Sequence, residues 1–270
     1  MPLHLKHATV SLRQLLFPLS LCLTLCSANM PAQAQSVAPI QVRTPQGQLL
    51  ETAAGWKAPN GARMQFAVMG KLKNLPYETR AQLDWLPLGQ RYEASQEIQI
   101  PLMGSRRQAS IGSIGAHGLL PEIFLDRSRK EYSTTFDPAA GQIRFSRGKE
   151  PVPWVGGIQD RMSVFFQVAG MLTASPQRYP AGTSITLLTA SSSRVAAWKF
   201  TVRGTETLQL PAGRMSAVKL EHSADSSTGD ELQATIWLAP QLQYLPVRIR
   251  LREDGGRDEL DLKLQSHTKP

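Results

Sequence analysis

The sequence predicts a mainly β protein: an antiparallel meander forming a curved sheet or incomplete barrel, with one buried helix packed on the concave face. Three observations predict it. Most segments alternate apolar and polar residues with a period of two and are separated by short turns rich in Pro and Gly. The stretch from Val247 to Leu264 specifies a hairpin whose two faces agree on a single register. One segment, 158–172, breaks the period of two and is apolar on nearly every side.

The first 34 residues read as a secretory leader. Lys6 and Arg13 give a positive start, no acid occurs before Glu51, and the apolar run Leu15 to Leu25 precedes the small-residue cleavage signal Ala32-Gln33-Ala34. The run is short of the roughly 20 apolar residues a membrane span needs, so cleavage after Ala34 is favoured over a retained anchor. Cys22 and Cys26 are the only cysteines of the chain and leave with the leader. The mature chain then has no disulfide, no thiolate nucleophile and no cysteine metal site. Export to a bacterial periplasm is the expected destination, with no transmembrane segment after cleavage.

Residues 35–61 are rich in Pro, Gln, Ala and Gly and read as a flexible leader into a single domain at 62–266, followed by a tail at 267–270. Alternation in the first half places strands at Met64–Val68, Tyr77–Leu86, Ala94–Leu102 and Arg107–Ile114. The hairpin Glu131–Phe136 and Gln142–Ser146 turns at Asp137-Pro138-Ala139-Ala140-Gly141. In the helical segment Ile158, Met162, Phe165, Ala169 and Leu172 recur at helical spacing, Asp160 suits the N-terminal end of the dipole, and Gly170 and Pro176 mark the far end. The second half adds strands at Ser184–Thr189, Val195–Val202, Thr205–Leu210, Met215–His222 and Glu231–Leu238, about eleven in all with the C-terminal pair.

In that pair, a loop at Gly255-Gly256 sets Leu251 opposite Leu260 and Ile249 opposite Leu262. The other face sets Arg252 opposite Glu259 and Arg250 opposite Asp261, which leaves Arg248, opposite Lys263, as an uncompensated positive corner.

In the order of its motifs the chain resembles the bacterial domain of unknown function 3108 family of exported proteins. The resemblance rests on Gly118-Leu119-Leu120-Pro121, the hairpin Phe136-Asp137 to Phe145-Ser146, and Gly157-Ile158-Gln159-Asp160-Arg161-Met162-Ser163. It continues through Phe200 to Gly213 and Trp237 to Leu262, and covers roughly residues 62–266. It implies an envelope β protein and supplies no catalytic residue.

The formal charge of the chain is +9, and loss of Lys6 and Arg13 leaves it basic. Such a protein is drawn to anionic lipid headgroups or acidic glycans. Nucleic acid is excluded as a partner by compartment and by the lack of aromatic-interleaved basic motifs. The densest basic clusters, Arg106-Arg107, Arg127 with Arg129-Lys130, and Arg144 to Lys149, are read as solvated faces rather than a binding patch.

His117, His222 and His267 stand apart from other ligand-type residues, so neither a metal nor another cofactor is expected, and His222 is read as a surface residue. Ser113 and His117 lie in a glycine-rich stretch, but Ile111 occupies the first glycine position of the nucleophile-elbow motif, and the glycines are better read as a strand bulge. No catalytic residue is assigned.

The remaining expectation is a non-enzymatic envelope protein that holds a lipid or other apolar ligand between sheet and helix. Trp154, Phe165, Phe166, Trp237 and Tyr244 would form the cavity wall, with Asp160 and Arg161 at its rim. The alternatives are a module that binds an envelope protein, glycan or anionic glycolipid through a sheet edge or basic face, and, last, a hydrolase.

Overall fold

The meander joins its first long strand to its last, which wraps the sheet around the helix without closing it. In this computed structural model the described residues are 40–50, 55–100, 104–223 and 232–270. The leader cut expected after Ala34, and the expected strand ends at Leu102 and Glu231, lie outside them.

Seventeen strands join in one sheet that does not close. The first run comprises β3 (Ala62–Leu72), β4 (Leu75–Leu88), β5 (Arg91–Ile100), β6 (Gly104–Gly115) and β7 (Gly118–Arg127), then β8 (Glu131–Asp137), β9 (Gln142–Phe145) and β10 (Lys149–Pro153). Each pairs antiparallel with the next in the chain. A second antiparallel run comprises β12 (Ser184–Ala190), β13 (Val195–Leu210), β14 (Gly213–His222), β15 (Gln233–Ala239), β16 (Leu245–Glu253) and β17 (Asp258–Thr268). β17 pairs with β3 and fuses the two runs.

The free edge of β12 takes β1 (Ile40–Arg43), antiparallel, and the two-residue β11 (Gln159–Asp160), which is the parallel partner. β2 (Leu49–Leu50) pairs back on β1. Across the seam, the Thr134 hydroxyl of β8 donates to the Ser191 carbonyl just past β12, at 2.9 Å.

The hairpin register matches the sequence reading at every pair from Arg248↔Lys263 to Arg252↔Glu259. Its charges pair straight across, Arg252 with Glu259 at 3.4 Å and Arg250 with Asp261 at 3.6 Å, and diagonally as well. Arg248 makes a bidentate contact with Asp261 at 2.8 and 2.7 Å, so it is not an uncompensated corner. Diagonal neighbours on a twisted antiparallel pair are within reach of long side chains. Arg248 also stacks over the Trp237 ring at 4.6 Å, which puts Trp237 on the convex face under a cover of charged side chains.

Several elements differ from expectation for identifiable reasons. Part of the stretch expected as a flexible leader supplies β1 and β2, because Val42 finds a buried place at the edge of β12. The two strands expected on either side of Gly204 are one, β13, with a bulge absorbed where Gly204 takes φ +104°. β7 escapes a period-two reading because Pro121 and a bulge between Ile111 and Gly112 reset its alternation. The bulge reading of the glycines holds: a Cβ on Gly112 would lie 2.2 Å from the Leu120 carbonyl oxygen.

The helix α1 spans Ser163–Ala174, not 158–172. Asp160 ends its approach: the carboxylate accepts from the Met162 and Ser163 amides at 2.8 and 2.7 Å, so helical bonding starts only after it. Residues Ser163 to Leu172 are all buried. Phe166 stacks on Trp85 at 4.5 Å, and the buried Gln167 amide ties the β6–β7 turn by accepting from Leu119 N and donating to the His117 carbonyl. The C-terminal half of α1 is strapped by residues 55–61. The Trp56 indole donates to the Gln167 carbonyl, and Lys57 N donates to the Gly170 carbonyl.

Gly170 owes its place to that strap, since a Cβ there would sit 2.0 Å from the Trp56 ring nitrogen. Ala normally stabilises a helix interior by about 0.5–1 kcal/mol over Gly. Here Gly170→Ala is expected to destabilise by about 1–3 kcal/mol through overpacking, and to become stabilising in a Trp56→Ala background. Urea unfolding of the four proteins of that cycle checks it; additive effects would show that the ring does not seat on the glycine.

Candidate functional site

The inside of the sheet changes character along the barrel. Near the strapped end it is filled by large apolar side chains, among them Trp85, Phe66, Phe124 and Phe166, all fully buried. Toward the opposite end, where the β3–β4, β7–β8, β9–β10 and β16–β17 turns gather, polar residues replace them. Inward alternation carries Gln96 on β5, Arg106 and Gln108 on β6, Asp126 on β7 and Tyr132 on β8.

A cavity of about 480 Å³ opens there. Its floor is apolar, with Phe165 from α1 and Met162 just before it, Trp198 from β13, Ile100 from β5, and Leu251 and Leu260 from the C-terminal hairpin. Trp198 is the aromatic hub. Phe165 meets it edge-on at 6.5 Å, His222 stacks on it at 4.9 Å, and the Arg161 guanidinium lies 5.7 Å from its ring. His222 is thus buried rather than at the surface.

The rim is charged. Arg106 forms a bidentate pair with Asp126 at 3.1 and 2.9 Å, and Gln108 donates to the same carboxylate. Burial opposes the charge on Arg106, but the hydrogen bonds and charge of Asp126 outweigh it and hold the guanidinium protonated. Arg161 reaches Glu253 at 3.9 Å. The Arg147 guanidinium carbon lies over the Tyr132 ring, 4.0 Å from its centroid.

Of the seven residues expected at the site, the cavity takes Arg161 and Phe165. Phe166, one position on, points to the strapped end. Trp154 is half-buried beside Gly156, and Tyr244 sits in the left-handed region at φ +60° near the C-terminal end of α1, where the adjacent Gln243 carbonyl accepts from Thr173. Trp237 is on the outer face, its ring nitrogen donating to Glu206. Asp160 lies beneath the cavity with no exposed surface.

Gln96, Arg106, Asp126, Tyr132 and Trp198 are cavity residues the sequence reading left out. The signal for them was present. Arg106 shares the inward face of β6 with Gln108 and Ser110, while Arg107 faces outward toward Glu93, so the dipeptide read as a solvated cluster is split by the pleat.

Asp160 anchors a buried polar chain under the cavity. The Ser110 hydroxyl donates to its Oδ2 at 2.5 Å, and the Tyr92 hydroxyl is 2.9 Å from Ser110 Oγ. Burial pushes the Asp160 carboxyl up to about 6, although hydrogen bonds from Ser110, Ser163 and Met162 pull the other way. Burial, with the nearby Asp160 charge, also drives the Tyr92 phenol well up, so it stays protonated. Among the described residues no cluster of His, Cys, Asp and Glu is arranged to hold a metal ion, and no helix is long and apolar enough to cross a membrane.

A wide antiparallel sheet wound around one helix, with a half-apolar, half-charged chamber at one end, defines a barrel-like β protein built around an internal cavity. The family model described as "Protein of unknown function (DUF3108)" matches residues 82–263, and the chain belongs to that family. No curated protein is significantly similar to it in sequence. In three dimensions it is similar to the β-barrel-like DUF1849 protein from Brucella abortus, with a TM-score of 0.52 and 13% identity over 80% of this chain and 99% of that one. That likeness is one of fold. A DUF1329 family protein from Desulfovibrio piger aligns over 78% of this chain and 86% of its own, at 7% identity and a TM-score of 0.29.

The Asp160 carboxyl has a consequence for stability. Its ordinary value is 3.8, so between about pH 4 and pH 6 the folded chain holds a proton that the unfolded chain has released. This group's contribution therefore falls as pH rises through that window, by on the order of 3 kcal/mol. Asp160→Asn keeps an acceptor for the two helix amides and removes the titration. Relative to wild type, the variant is expected to gain about 3 kcal/mol between pH 4 and pH 7 in urea unfolding; a constant difference would mean that Asp160 is ionised throughout.

Proposed function

We propose that this protein is a non-enzymatic exported carrier or receptor that holds an amphiphile, its apolar part in the chamber between sheet and helix and its polar part at the rim. The observation that carries this reading is the chamber itself: about 480 Å³, within the roughly 300–1,000 Å³ of small-ligand sites, with an apolar floor and convergent polar groups above it. A purely structural core would close over Phe165 and Trp198 with further apolar side chains. Here Arg106, Asp126, Gln96 and Gln108 stand over them instead.

The signal-like start of the sequence supports a periplasmic place of action. Against a hydrolase stands the position of Ser110. Its hydroxyl donates to the Asp160 carboxylate, yet both groups are fully buried, out of reach of a substrate carbonyl. A sheet-edge docking module is opposed by β10, whose exposed Pro151 and Pro153 deny a partner strand two donors.

Native mass spectrometry of protein purified from the periplasm, followed by lipid extraction, tests the reading. A co-purifying amphiphile is expected, lost in Phe165→Asp and retained in Trp237→Ala, which alters the convex face only. Retention in a folded Phe165→Asp protein would take the ligand out of this chamber, and protein that neither co-purifies with nor takes up any amphiphile would overturn the reading.

A further inference from the structure

The rim charges are sorted, and the sorting says which headgroup fits. On the side of the β16–β17 turn the carboxylates are already engaged. Glu259 lies 3.4 Å from Arg252 and 3.9 Å from Lys71, Glu253 lies 3.9 Å from Arg161, and Asp258 accepts from Lys73 N at 2.8 Å. Asp126 is held by Arg106. Across the opening, the β7–β8 and β9–β10 turns bring Arg129 and Arg147 to the lining, and among the described residues neither is within ion-pair distance of a carboxylate.

Both side chains are exposed and belong to adjoining turns: Ser133 N on β8 donates to the Ser146 hydroxyl beside Arg147, at 2.7 Å. Arg147 is further oriented by the Tyr132 ring beneath it. Two guanidiniums without anionic partners line the same opening, one of them held over an aromatic ring, and each offers the charge and planar donors that suit an oxyanion.

We propose that the chamber selects an anionic single-chain amphiphile, its carboxylate or phosphate seated between Arg129 and Arg147 and its chain running down past Ile100 onto Phe165 and Trp198. This rests on the amphiphile-binding reading above and adds the sign of the headgroup and the residues that read it. The size of the chamber limits the occupant to one chain, and the Lys71, Arg161 and Arg252 cations opposite are already engaged by carboxylates of their own.

Binding of three palmitoyl probes to the full mature chain, followed by Trp198 fluorescence quenching or native mass spectrometry, tests it. The probes are palmitate, palmitoyl lysophosphatidylglycerol and the uncharged monopalmitoylglycerol. The anions are expected to bind about tenfold or more tightly than the neutral probe, with an affinity that falls as salt rises. The double variant Arg129→Glu, Arg147→Glu should abolish that preference and leave the neutral probe within about twofold, and the milder Arg129→Gln, Arg147→Gln pair guards against misfolding. If all three probes bind wild type equally and neither pair of substitutions changes them, the headgroup assignment fails and the chamber reading survives. If no probe binds, the chamber reading itself fails. Unequal affinity for the two anions would identify which oxyanion the two arginines prefer.

Discussion

The structure depends on giving a helix without a solvent face a place where its polar ends are satisfied. α1 is buried from Ser163 to Leu172, so it can exist only inside a sheet wide enough to surround it. Enclosure removes water from the helix start, where free amides would go unpaired. Asp160 supplies the acceptor, and Ser110 on β6 supplies the donor that steadies Asp160. One buried carboxyl therefore links the helix start to the middle of the sheet. It also fixes how deep the helix sits, and so where the filled core ends and the chamber begins.

The C-terminal hairpin was fully legible because each of its faces reports the register independently: apolar residues on one side, opposite charges on the other. What sequence could not convey was the skew between strands, which hands Asp261 to Arg248 rather than only to Arg250. Burial pushes the Asp261 carboxyl up, yet the hydrogen bonds of Arg248 and the charges of Arg248, Arg250 and Lys263 outweigh it and hold the carboxyl below its ordinary range. The cluster over Trp237 is thus a stabilising cover for the convex face. That is why a large aromatic that looked like a cavity wall serves elsewhere.

The chamber was harder to read for a related reason. Alternation identifies an inward face only while that face stays apolar. Gln96, Gln108 and Asp126 continue the inward register of Ala94, Ser110 and Phe124 but look like surface residues in sequence. Arg161 and Phe165, which line the chamber, stand out in sequence because the helix has an ion-bearing start on an apolar run. Trp154, Phe166 and Tyr244 share the composition of a wall without the position of one. Segment 40–43 escaped for lack of length, since four residues with one inward Val carry no period.

The pairing of β3 with β17 ties Arg63 to Thr268, nearly the full span of the domain. A chain made from its N-terminus must keep β3 unpaired along one edge until its final strand arrives. Neither half of the meander can wrap the helix before then. Such a topology postpones completion of the fold until the last strand is available, so the long-range pairing that encloses the helix comes late.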